Sequence, residues 1–353
     1  MKKILITTGG TGGHVIPAKI IEEHLRNNFK IYFSTDLRGL RYLSSDIDTT
    51  IIDTPKLNLD FFLPFKLIKL IYLIFRTILF IKKEKIEKVI SIGGYMSIPV
   101  VVGGKILGLP ILLLEPNLVL GRANRFFLNF SKKIFCYSNK LTNFPKKNSH
   151  QVELIQPLVS KAFYQLKKNE KTKDKFCFLI SGGSQGAQIF DELIQEVMID
   201  ISKNLPIKII QQTNTENIKY LQNIYDSNNI ENKIFDFEKK FINLIDMSDL
   251  CITRAGANSL AEISFMKKPF IAIPLPTAKD NHQMENAKFY EERGCCWVLD
   301  QRILTKQKLL NLVSNILKKR SDFITKKKNL EKLNYKNSWN DVNQKLQKII
   351  NEN

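Results

Sequence analysis

The sequence predicts an α/β protein of two similar domains, and three observations lead to this prediction. Residues 3–16 combine a short apolar strand, a turn with four glycines and the start of a helix near Pro17. Residues 176–191 repeat this design in mid-chain, and 353 residues exceed the usual size of one domain. Each half therefore opens with a strand, a glycine loop and a helix, which is an arrangement suited to binding phosphate groups.

The composition is that of a folded protein with an unusual positive charge. Apolar residues make up 44% of the chain, which is ordinary, and the formal net charge is +20. This charge suits nucleic acid, an anionic membrane or phosphate-bearing substrates, but a lysine bias spread over the whole chain explains it equally well. The five cysteines include no C-x-x-C pair, which favours buried thiols in a reducing compartment. No long apolar segment follows Lys2 and Lys3, so we expect no signal peptide.

The first glycine loop lies between a strand predicted at 3–7 and a helix predicted at 16–25. Its glycines can present N–H groups to an anion, although a plain strand-to-helix turn explains them equally well. The G-x-G-x-x-G pattern of dinucleotide-binding proteins is absent, because Val15 stands at its last position. Asp36 is the nearest candidate for a ribose contact but is not clearly in the expected place. His14 is a candidate general base for an attacking hydroxyl, with a structural helix-end histidine as the alternative.

Residues 61–83 form a long apolar segment that basic residues interrupt, so it is too charged to span a bilayer. On a helix its basic residues fall within one stripe beside a broad surface of Leu, Ile, Phe and Tyr. This pattern is typical of a helix in a membrane interface, and a helix packed on a sheet is the alternative. The candidate membrane-associating residues are Phe62, Phe65, Lys66, Lys69, Tyr72, Phe75, Arg76, Phe80 and Lys83.

Two further predicted strands of the first half end in glycine-rich or polar loops. Gly94 and Tyr95 follow one of them, and Glu115 and Asn117 follow the other. Ligands of open α/β sheets bind beyond the carboxyl ends of the strands, so we expect Tyr95 and Asn117 to share a crevice with His14. Glu115 either orients or deprotonates a hydroxyl there or is a structural carboxylate.

The second half offers polar residues of the same kind after its predicted strands. Ser184, in the second glycine loop, suits a helix N-cap and, in a functional site, a diphosphate contact. Ser259 and Glu262 have the spacing of a capping box, and alternatively Glu262 accepts two hydroxyls of a ribose. His282 and Gln283 suit sugar hydroxyls or are ordinary polar residues at a helix start.

The domain boundaries follow from a turn near residue 158 and from the lysine-rich, helix-forming tail of the chain. We predict a first domain over 1–158, a second over 159–335 and a last helix over 336–353. The tail places apolar residues at helical spacing, which predicts that its helices pack on a core.

Five motifs together give the chain a family resemblance. In order along the sequence they are GGTGGHVIPA, GGYMSIP, GGSQGA, TRAGANSLAEI and DNHQMENA. The set resembles the MurG family of bacterial cell-wall N-acetylglucosaminyltransferases, in glycosyltransferase family 28. The resemblance implies the GT-B fold, in which two Rossmann-like domains face each other across a cleft. It also implies that the first domain binds the acceptor and the membrane, that the second mainly binds the donor, and that the C-terminal helix crosses back to the first.

The resemblance further implies a reaction, its substrates and a location. The reaction is an inverting transfer of N-acetylglucosamine from UDP-N-acetylglucosamine to the 4-hydroxyl of undecaprenyl-pyrophosphoryl-MurNAc-pentapeptide, converting lipid I to lipid II. This step belongs to peptidoglycan synthesis and bears on cell shape, cell division and the cell cycle. We expect a peripheral protein on the anionic cytoplasmic face of the bacterial inner membrane, with cell-wall and division proteins as candidate partners. We expect no nucleic-acid partner and no cofactor, and the lack of an Asp-x-Asp pair after a strand predicts no metal.

The site residues that the resemblance implies fall into three groups. His14 is the candidate catalytic base. The donor-binding residues are Thr11, Gly12, Gly13, Asn117, Ser184, Gln185, Ile242, Ala257, Asn258, Ser259, Leu260, Ala261, Glu262, His282 and Gln283. Among them, the pair Ser184 and Gln185 holds the diphosphate, Ile242 meets the uracil and Glu262 binds the ribose. The acceptor-binding residues are Gly10, Thr11, Gly94 and Tyr95.

Two positions depart from the family pattern, and other functions remain in contention. Leu114 stands where the family commonly has a histidine, and Val159 lies where an arginine often follows an interdomain proline. The nearest alternative is another GT-B enzyme that transfers a UDP-sugar to a glycolipid, which the GGTGGH and GGY motifs disfavour. The spread of the lysines disfavours a nucleic-acid-binding protein, and the missing G-x-G-x-x-G disfavours a nicotinamide-dependent redox enzyme.

Overall fold

The computed structural model describes residues 1–43, 47–166, 175–183, 188–333 and 338–352. The chain divides into two compact units. The first unit comprises Met1–Lys161 together with Asn337–Asn353, and the second comprises Ala162–Lys336. The first unit thus ends three residues after the predicted boundary and includes the last segment of the chain.

The first unit is built on a sheet of seven parallel strands. They are β1 (Lys2–Thr7), β2 (Phe29–Thr35), β3 (Thr49–Ile51), β4 (Lys88–Ser91), β5 (Ile111–Glu115), β6 (Lys133–Cys136) and β7 (Val152–Leu154). Their order across the sheet is β3-β2-β1-β4-β5-β6-β7. The strand order therefore reverses between β1 and β4, and ligands of open α/β sheets bind at the carboxyl ends beside such a point.

The helices of this part of the chain cover the sheet, whose central strands are apolar and buried because both faces are covered. They are α1 (Gly12–Leu25), α2 (Leu37–Leu40), α3 (Leu63–Glu84), α4 (Ile98–Ile106) and α5 (Arg122–Phe127). The prediction that the first helix opens near Pro17 is wrong, because Pro17 lies inside α1. The backbone carbonyl of Thr11 accepts hydrogen bonds from the N–H groups of His14 and Val15, and this starts the helix at Gly12.

The second unit repeats the design with six parallel strands. They are β8 (Phe176–Ser181), β9 (Ile207–Gln212), β10 (Glu231–Phe235), β11 (Leu250–Thr253), β12 (Phe270–Ala272) and β13 (Cys296–Val298). Their order is β10-β9-β8-β11-β12-β13, so the reversal lies between β8 and β11. The prediction of an α/β protein with two Rossmann-like, parallel-sheet domains is confirmed.

The helices that follow the first unit's sheet belong to the second unit, except that the first of them begins at the boundary residue Lys161. They are α6 (Lys161–Gln165), α7 (Gln195–Ser202), α8 (Ile218–Ser227), α9 (Phe241–Met247), α10 (Ala257–Phe265), α11 (His282–Glu291), α12 (Lys306–Lys318) and α13 (Arg320–Lys332). A π-helical turn, Phe190–Ile194, leads directly into α7. All five cysteines of the chain are buried free thiols.

The last helix, α14 (Trp339–Glu352), packs against α1 of the first unit. The ring of Trp339 stacks on that of His24, with centroids 3.5 Å apart and planes inclined by 15°. The apolar side of α14 joins the same buried cluster as β1 through Val342, Leu346, Ile349 and Ile350. The last helix therefore completes a core to which the first strand and the first helix of the chain also contribute.

The buried imidazole of His24 makes the stability of the first unit depend on pH. Burial lowers the pKa of His24 from 6.5 to about 4, and the side chain of Asn343 opposes this shift. The unfolded chain therefore takes up a proton that the folded chain excludes. The resulting stability is fully present above pH 6.5 and is lost as the pH falls towards 4, by about 3 kcal/mol.

We therefore expect His24→Phe, which keeps an aromatic ring against Trp339, to remove this share of the pH dependence. Urea unfolding followed at several pH values between 7 and 4 measures it. The control is His150→Phe, because His150 is an exposed histidine of the same unit. Equal slopes of unfolding free energy against pH in the wild type and His24→Phe would contradict the assignment.

Candidate functional site

The carboxyl ends of β1 and β4 bring the first two glycine loops into contact. A Cβ added to Gly94 would lie 3.2 Å from the Cα of Gly9, and one added to Gly9 would lie 3.7 Å from Nδ1 of His14. Gly93 and Gly94 have φ values of 87° and 80°, which glycine adopts without strain. The absence of side chains at these positions therefore lets His14 lie beside both loops, where the strand order reverses.

The half-buried His14 lies in the first turn of α1, and its neighbour Thr11 is the N-cap of that helix. Nδ1 of His14 is 2.9 Å from Oγ1 of Thr11. When Nδ1–H donates to this hydroxyl, Nε2 carries the lone pair that a general base needs. The geometry is therefore compatible with proton abstraction by Nε2.

The carboxylate of Glu115 has a structural role at the end of β5. Its Oε1 accepts from the backbone and side-chain N–H groups of Asn117, at 3.2 and 3.1 Å. Its Oε2 accepts from Gly121 N at 2.8 Å and from Nδ2 of Asn124 at 3.0 Å. Burial raises the pKa of Glu115, and these hydrogen bonds oppose the shift. Leu114, where the resemblance leads us to expect a histidine, is fully buried in the apolar core.

In the second unit, α10 follows the strand β11 at the reversal of strand order. The helix begins at Ala257 with Gly256 as its N-cap, so the capping-box interpretation of Ser259 and Glu262 is wrong. Ser259 lies inside the first turn instead. Glu262 is half-buried, its carboxyl group has no hydrogen bond within the described residues, and burial raises its pKa to about 7. It is therefore a carboxylate that hydroxyl donors of a ligand can satisfy.

The remaining donor-binding candidates on α9 and α10 differ in what they can offer. Ile242, Leu260 and Ala261 are buried, so their side chains belong to the core. The N–H of Leu260 already donates to the carbonyl of Gly256. The first turn of α10, which holds Ala257, Asn258 and Ser259, is where a helix has N–H groups without an intrahelical acceptor. Ser184 and Gln185 lie outside the described residues.

Gln283 joins two strand-end loops. Its Oε1 accepts from the backbone N–H groups of Ala255, at 3.2 Å, and of Leu275, at 2.9 Å. His282 precedes it, with Nδ1 2.8 Å from the carbonyl of Lys279. Nδ1–H therefore donates to that carbonyl, which leaves Nε2 of His282 as an acceptor for a hydroxyl.

Two features of this second site were not predicted from the sequence. Asp280 and Asn281 have φ values of 51° and 55°, and such strained, non-glycine conformations cluster at ligand sites. Arg254 is buried, and its Nη1 donates to the carbonyl of Ile273 and to Oε1 of Gln301. Burial lowers the pKa of Arg254 to about 10. An arginine directly after the apolar strand β11 was the available signal for a side chain that fastens strand-end loops.

The helix α3 exposes a continuous apolar stripe on the first unit. Five of its exposed apolar residues recur every three or four positions and define this stripe, namely Phe65, Ile68, Tyr72, Phe75 and Leu79, and Leu67 and Ile71 are exposed beside them. Its buried residues, Leu73, Thr77 and Ile81, lie on another side of the helix. Within the described residues, none of the helices has the length and apolarity needed to cross a membrane.

Three of the candidate membrane-associating residues of α3 also contact the rest of the first unit. Lys66 forms an ion pair with Asp60, and Lys69 forms one with Asp53 at 3.2 Å. Phe80 is half-buried and packs edge-on against a tyrosine of β2. The exposed apolar stripe, rather than the lysines, is therefore the main feature of this surface.

Both halves of the chain match models of one protein family. Residues 4–136 match the glycosyltransferase family 28 N-terminal domain, and residues 177–343 match its C-terminal domain. A protein of Pelagibacter ubique (strain HTCC1062) is 46% identical over 354 residues, covering 100% of this chain and 99% of its own length. It is named UDP-N-acetylglucosamine–N-acetylmuramyl-(pentapeptide) pyrophosphoryl-undecaprenol N-acetylglucosamine transferase. A Rickettsia bellii (strain RML369-C) protein of the same name is 35% identical over 329 residues, covering 90% of this chain and 91% of its own.

Solved structures show the same fold. The crystal structure of Acinetobacter baumannii MurG matches with a TM-score of 0.78 and 24% identity, covering 99% of this chain and 100% of that chain. UDP-GlcNAc 2-epimerase from Neisseria meningitidis, bound to UDP-GlcNAc, matches with a TM-score of 0.67 and 13% identity, covering 99% and 100%. The family models and the full-length relatives go beyond the fold and confirm the resemblance noted in the sequence. The chain therefore belongs to glycosyltransferase family 28, as a member of the MurG family of N-acetylglucosaminyltransferases.

Proposed function

We propose that this chain transfers N-acetylglucosamine from UDP-N-acetylglucosamine to the 4-hydroxyl of undecaprenyl-pyrophosphoryl-MurNAc-pentapeptide. The observation that carries this proposal is the position of the described family motifs, each of which follows a strand at the carboxyl edge of a parallel sheet. Those of β1, β4 and β11 lie where the strand order reverses. The full-length relatives are named for transfer of N-acetylglucosamine between the same donor and the same acceptor. Transfer of a UDP-sugar to another glycolipid is the alternative.

In this proposal the first unit binds the acceptor and supplies the base. Nε2 of His14 removes the proton of the 4-hydroxyl while that oxygen bonds to the anomeric carbon. The bond from this carbon to the diphosphate oxygen breaks at the same time, and UDP leaves with the electron pair, so the configuration inverts. General-base assistance of this kind is worth about 10²–10⁴-fold in rate.

The second unit binds the donor. The N–H groups in the first turn of α10 favour the negative charge that develops on the departing diphosphate. Glu262 accepts hydrogen bonds from the ribose hydroxyls, and Nε2 of His282 accepts one from the sugar. Diphosphate binding by Ser184 and Gln185, and contact of Ile242 with uracil, remain predictions from the resemblance.

Acceptor-dependent release of UDP tests the proposed function. The protein is incubated with UDP-N-acetylglucosamine, with and without a short-chain lipid I analogue, and UDP is measured. We expect release only with the acceptor. If the protein binds the donor but releases no UDP with an authentic acceptor, the muramoyl assignment is wrong, and turnover of another glycolipid would support the alternative.

Substitution of Glu262 by glutamine tests its contact with the donor. We expect the donor KM to rise about 10–100-fold with little change in the acceptor KM, because hydrogen bonds to a charged group are worth about 1.5–3 kcal/mol. The control is Glu285→Gln, because Glu285 lies on α11 in an ion pair with Lys288. An unchanged donor KM in Glu262→Gln would remove this residue from the donor site.

The same residue should make donor use depend on pH. Burial raises the pKa of Glu262 to about 7, so the carboxyl is protonated below that pH and loses acceptor capacity. We expect kcat/KM for the donor to fall as the pH decreases through about 7 and this step to be absent in Glu262→Gln. A step of the same size in the variant would assign it to another group.

The first unit also supplies the proposed membrane contact. The exposed apolar stripe of α3 would lie in the interface of the anionic cytoplasmic membrane surface, where the lipid acceptor resides. Arg76 and Lys83, on the same helix, add positive charge. In this proposal the protein lies peripherally on the cytoplasmic face of the bacterial inner membrane.

A further inference from the structure

The carboxyl edge of the first unit's sheet carries a cation that has no role in the proposed reaction, Arg38 of the short helix α2. Its Nε and Nη2 lie 2.8 and 2.7 Å from Oδ2 of Asp36, and Nη2 lies 3.5 Å from the hydroxyl oxygen of Tyr95. Asp36 follows β2, and Tyr95 follows the glycines after β4. These two strands flank β1, which carries the first glycine loop. The guanidinium therefore contacts residues that follow both neighbours of β1.

Asp36 is built into this loop. Its side chain is nearly fully buried, and Oδ1 accepts from Gly39 N at 3.0 Å. A Cβ added to Gly10 would lie 1.7 Å from that same Oδ1, so only glycine at this position leaves room for the carboxylate. Both oxygens of Asp36 are therefore engaged, one by the backbone of α2 and the other by Arg38.

Asp36 does not act here as the corresponding acidic residue acts in dinucleotide-binding domains. In dinucleotide-binding domains the acidic residue after the second strand accepts the ribose hydroxyls. Here the carboxylate is occupied and instead orients a cation at the carboxyl edge of the sheet. The site therefore suits an anion better than a diol.

The free part of the guanidinium is available to a ligand. The side chain of Arg38 is 54% exposed to solvent, and Nη1 makes no hydrogen bond within the described residues. The hydrogen bond to Asp36 raises the pKa of Arg38, so the charge is permanent. The planar fork of an arginine matches phosphate oxygens in a way that a lysine ammonium does not.

We propose that Arg38 binds the diphosphate of the lipid-linked acceptor and that Asp36 is its positioning residue. The inference rests on the proposed function, in which the donor diphosphate belongs to the second unit and the acceptor brings another to the first. The N–H groups of the adjoining glycine loops complement the same anion. The opposing interpretation is that Arg38 is only a surface residue that pairs with the N-cap of α2, and it predicts no effect on substrate use.

The test compares Arg38→Ala and Arg38→Lys with the control Arg41→Ala. Arg41 is an exposed arginine three residues further along, whose guanidinium contacts its own neighbour Tyr42. For Arg38→Ala we expect the acceptor KM to rise about 10–100-fold with an unchanged donor KM, the range expected for charge-assisted hydrogen bonds. Arg38→Lys should recover part of this loss, because it restores the charge without the fork. Arg41→Ala should match the wild type.

Direct binding of a short-chain acceptor analogue to each variant, measured by calorimetry, keeps the inference separate from turnover. If the wild type binds the acceptor and Arg38→Ala and Arg38→Lys bind it equally well, the inference fails while the proposed function stands. If the wild type shows no acceptor-dependent UDP release with authentic lipid I, the proposed function fails.

A second acceptor, with its peptide carboxylates amidated, separates the two anionic groups of the substrate. A loss in Arg38→Ala that persists with this acceptor supports the diphosphate as the partner. A loss that disappears would assign Arg38 to the peptide and overturn the inference. Asp36→Asn, checked for folding by its melting temperature, should raise the acceptor KM less than Arg38→Ala does, because the cation remains but is less firmly held.

Discussion

His14→Ala is expected to lower kcat at least a hundredfold while the donor KM stays close to that of the wild type. The imidazole is the proposed acceptor of the proton from the attacking hydroxyl, and loss of a general base costs about 10²–10⁴-fold in rate. Acceptor-dependent UDP release under saturating donor measures the effect. Thr11→Val removes the hydroxyl that lies 2.9 Å from Nδ1 of His14. It should lower kcat less, because the imidazole remains but loses the hydroxyl that orients it.

His150→Ala is the matched control for this prediction. His150 lies in the same unit and is exposed, and its Nδ1 is 3.1 Å from the carbonyl of Lys147. We expect its kcat to equal that of the wild type. If His14→Ala kept a wild-type kcat with the acceptor present, the enzyme assignment would stand and His14 would have a structural role in the first turn of α1.

The second large effect is expected at the membrane. Phe65 and Phe75 expose 66% and 57% of their surface, so replacing both by serine should not disturb the core. Each phenylalanine that leaves water for a membrane interface contributes about 1.5–3 kcal/mol when fully buried. We expect the double variant to bind anionic vesicles roughly a hundredfold more weakly, as measured by co-sedimentation.

Tyr220→Ser combined with Phe237→Ser is the control for the vesicle experiment. These residues of the second unit are exposed to a similar degree, by 57% and 72%, and lie outside the stripe on α3. They should leave vesicle binding unchanged. Equal loss in both double variants would mean that exposed aromatic residues act non-specifically, and no loss in either would remove α3 from the membrane contact.

Much of the fold could be predicted because its strands are short apolar runs that end at glycines or polar residues. Fully buried parallel strands produce this pattern, so the runs before Gly9, Gly93 and Gly183 were recognisable. The start of α1 could not be predicted, because glycine has a low helix propensity and Pro17 suggested that the first helical turn lies later. The hydrogen bonds to the carbonyl of Thr11 override both local preferences.

The site was predicted less completely, because its side chains are arranged by residues far away in the sequence. The motifs placed His14 and Glu262 shortly after apolar strands, and in the structure both lie on the helices that follow, His14 in the first turn of α1 and Glu262 on α10. The link from Asp36 through Arg38 to Tyr95 spans strands that are neighbours only after folding. A helical wheel likewise shows the basic stripe of α3 but not the acidic partners that precede the helix in the chain.

The place of α14 in the first unit has a consequence for synthesis of the protein. Residues 342–350 fill a core whose other walls are complete by Lys161, so about 180 residues must be translated in between. At about 5–20 residues per second this interval lasts roughly ten to forty seconds. During it the nascent first unit exposes the apolar surface of α1, which makes it a client for ribosome-associated chaperones. The second unit, whose strands and helices are contiguous in the chain, can finish folding first.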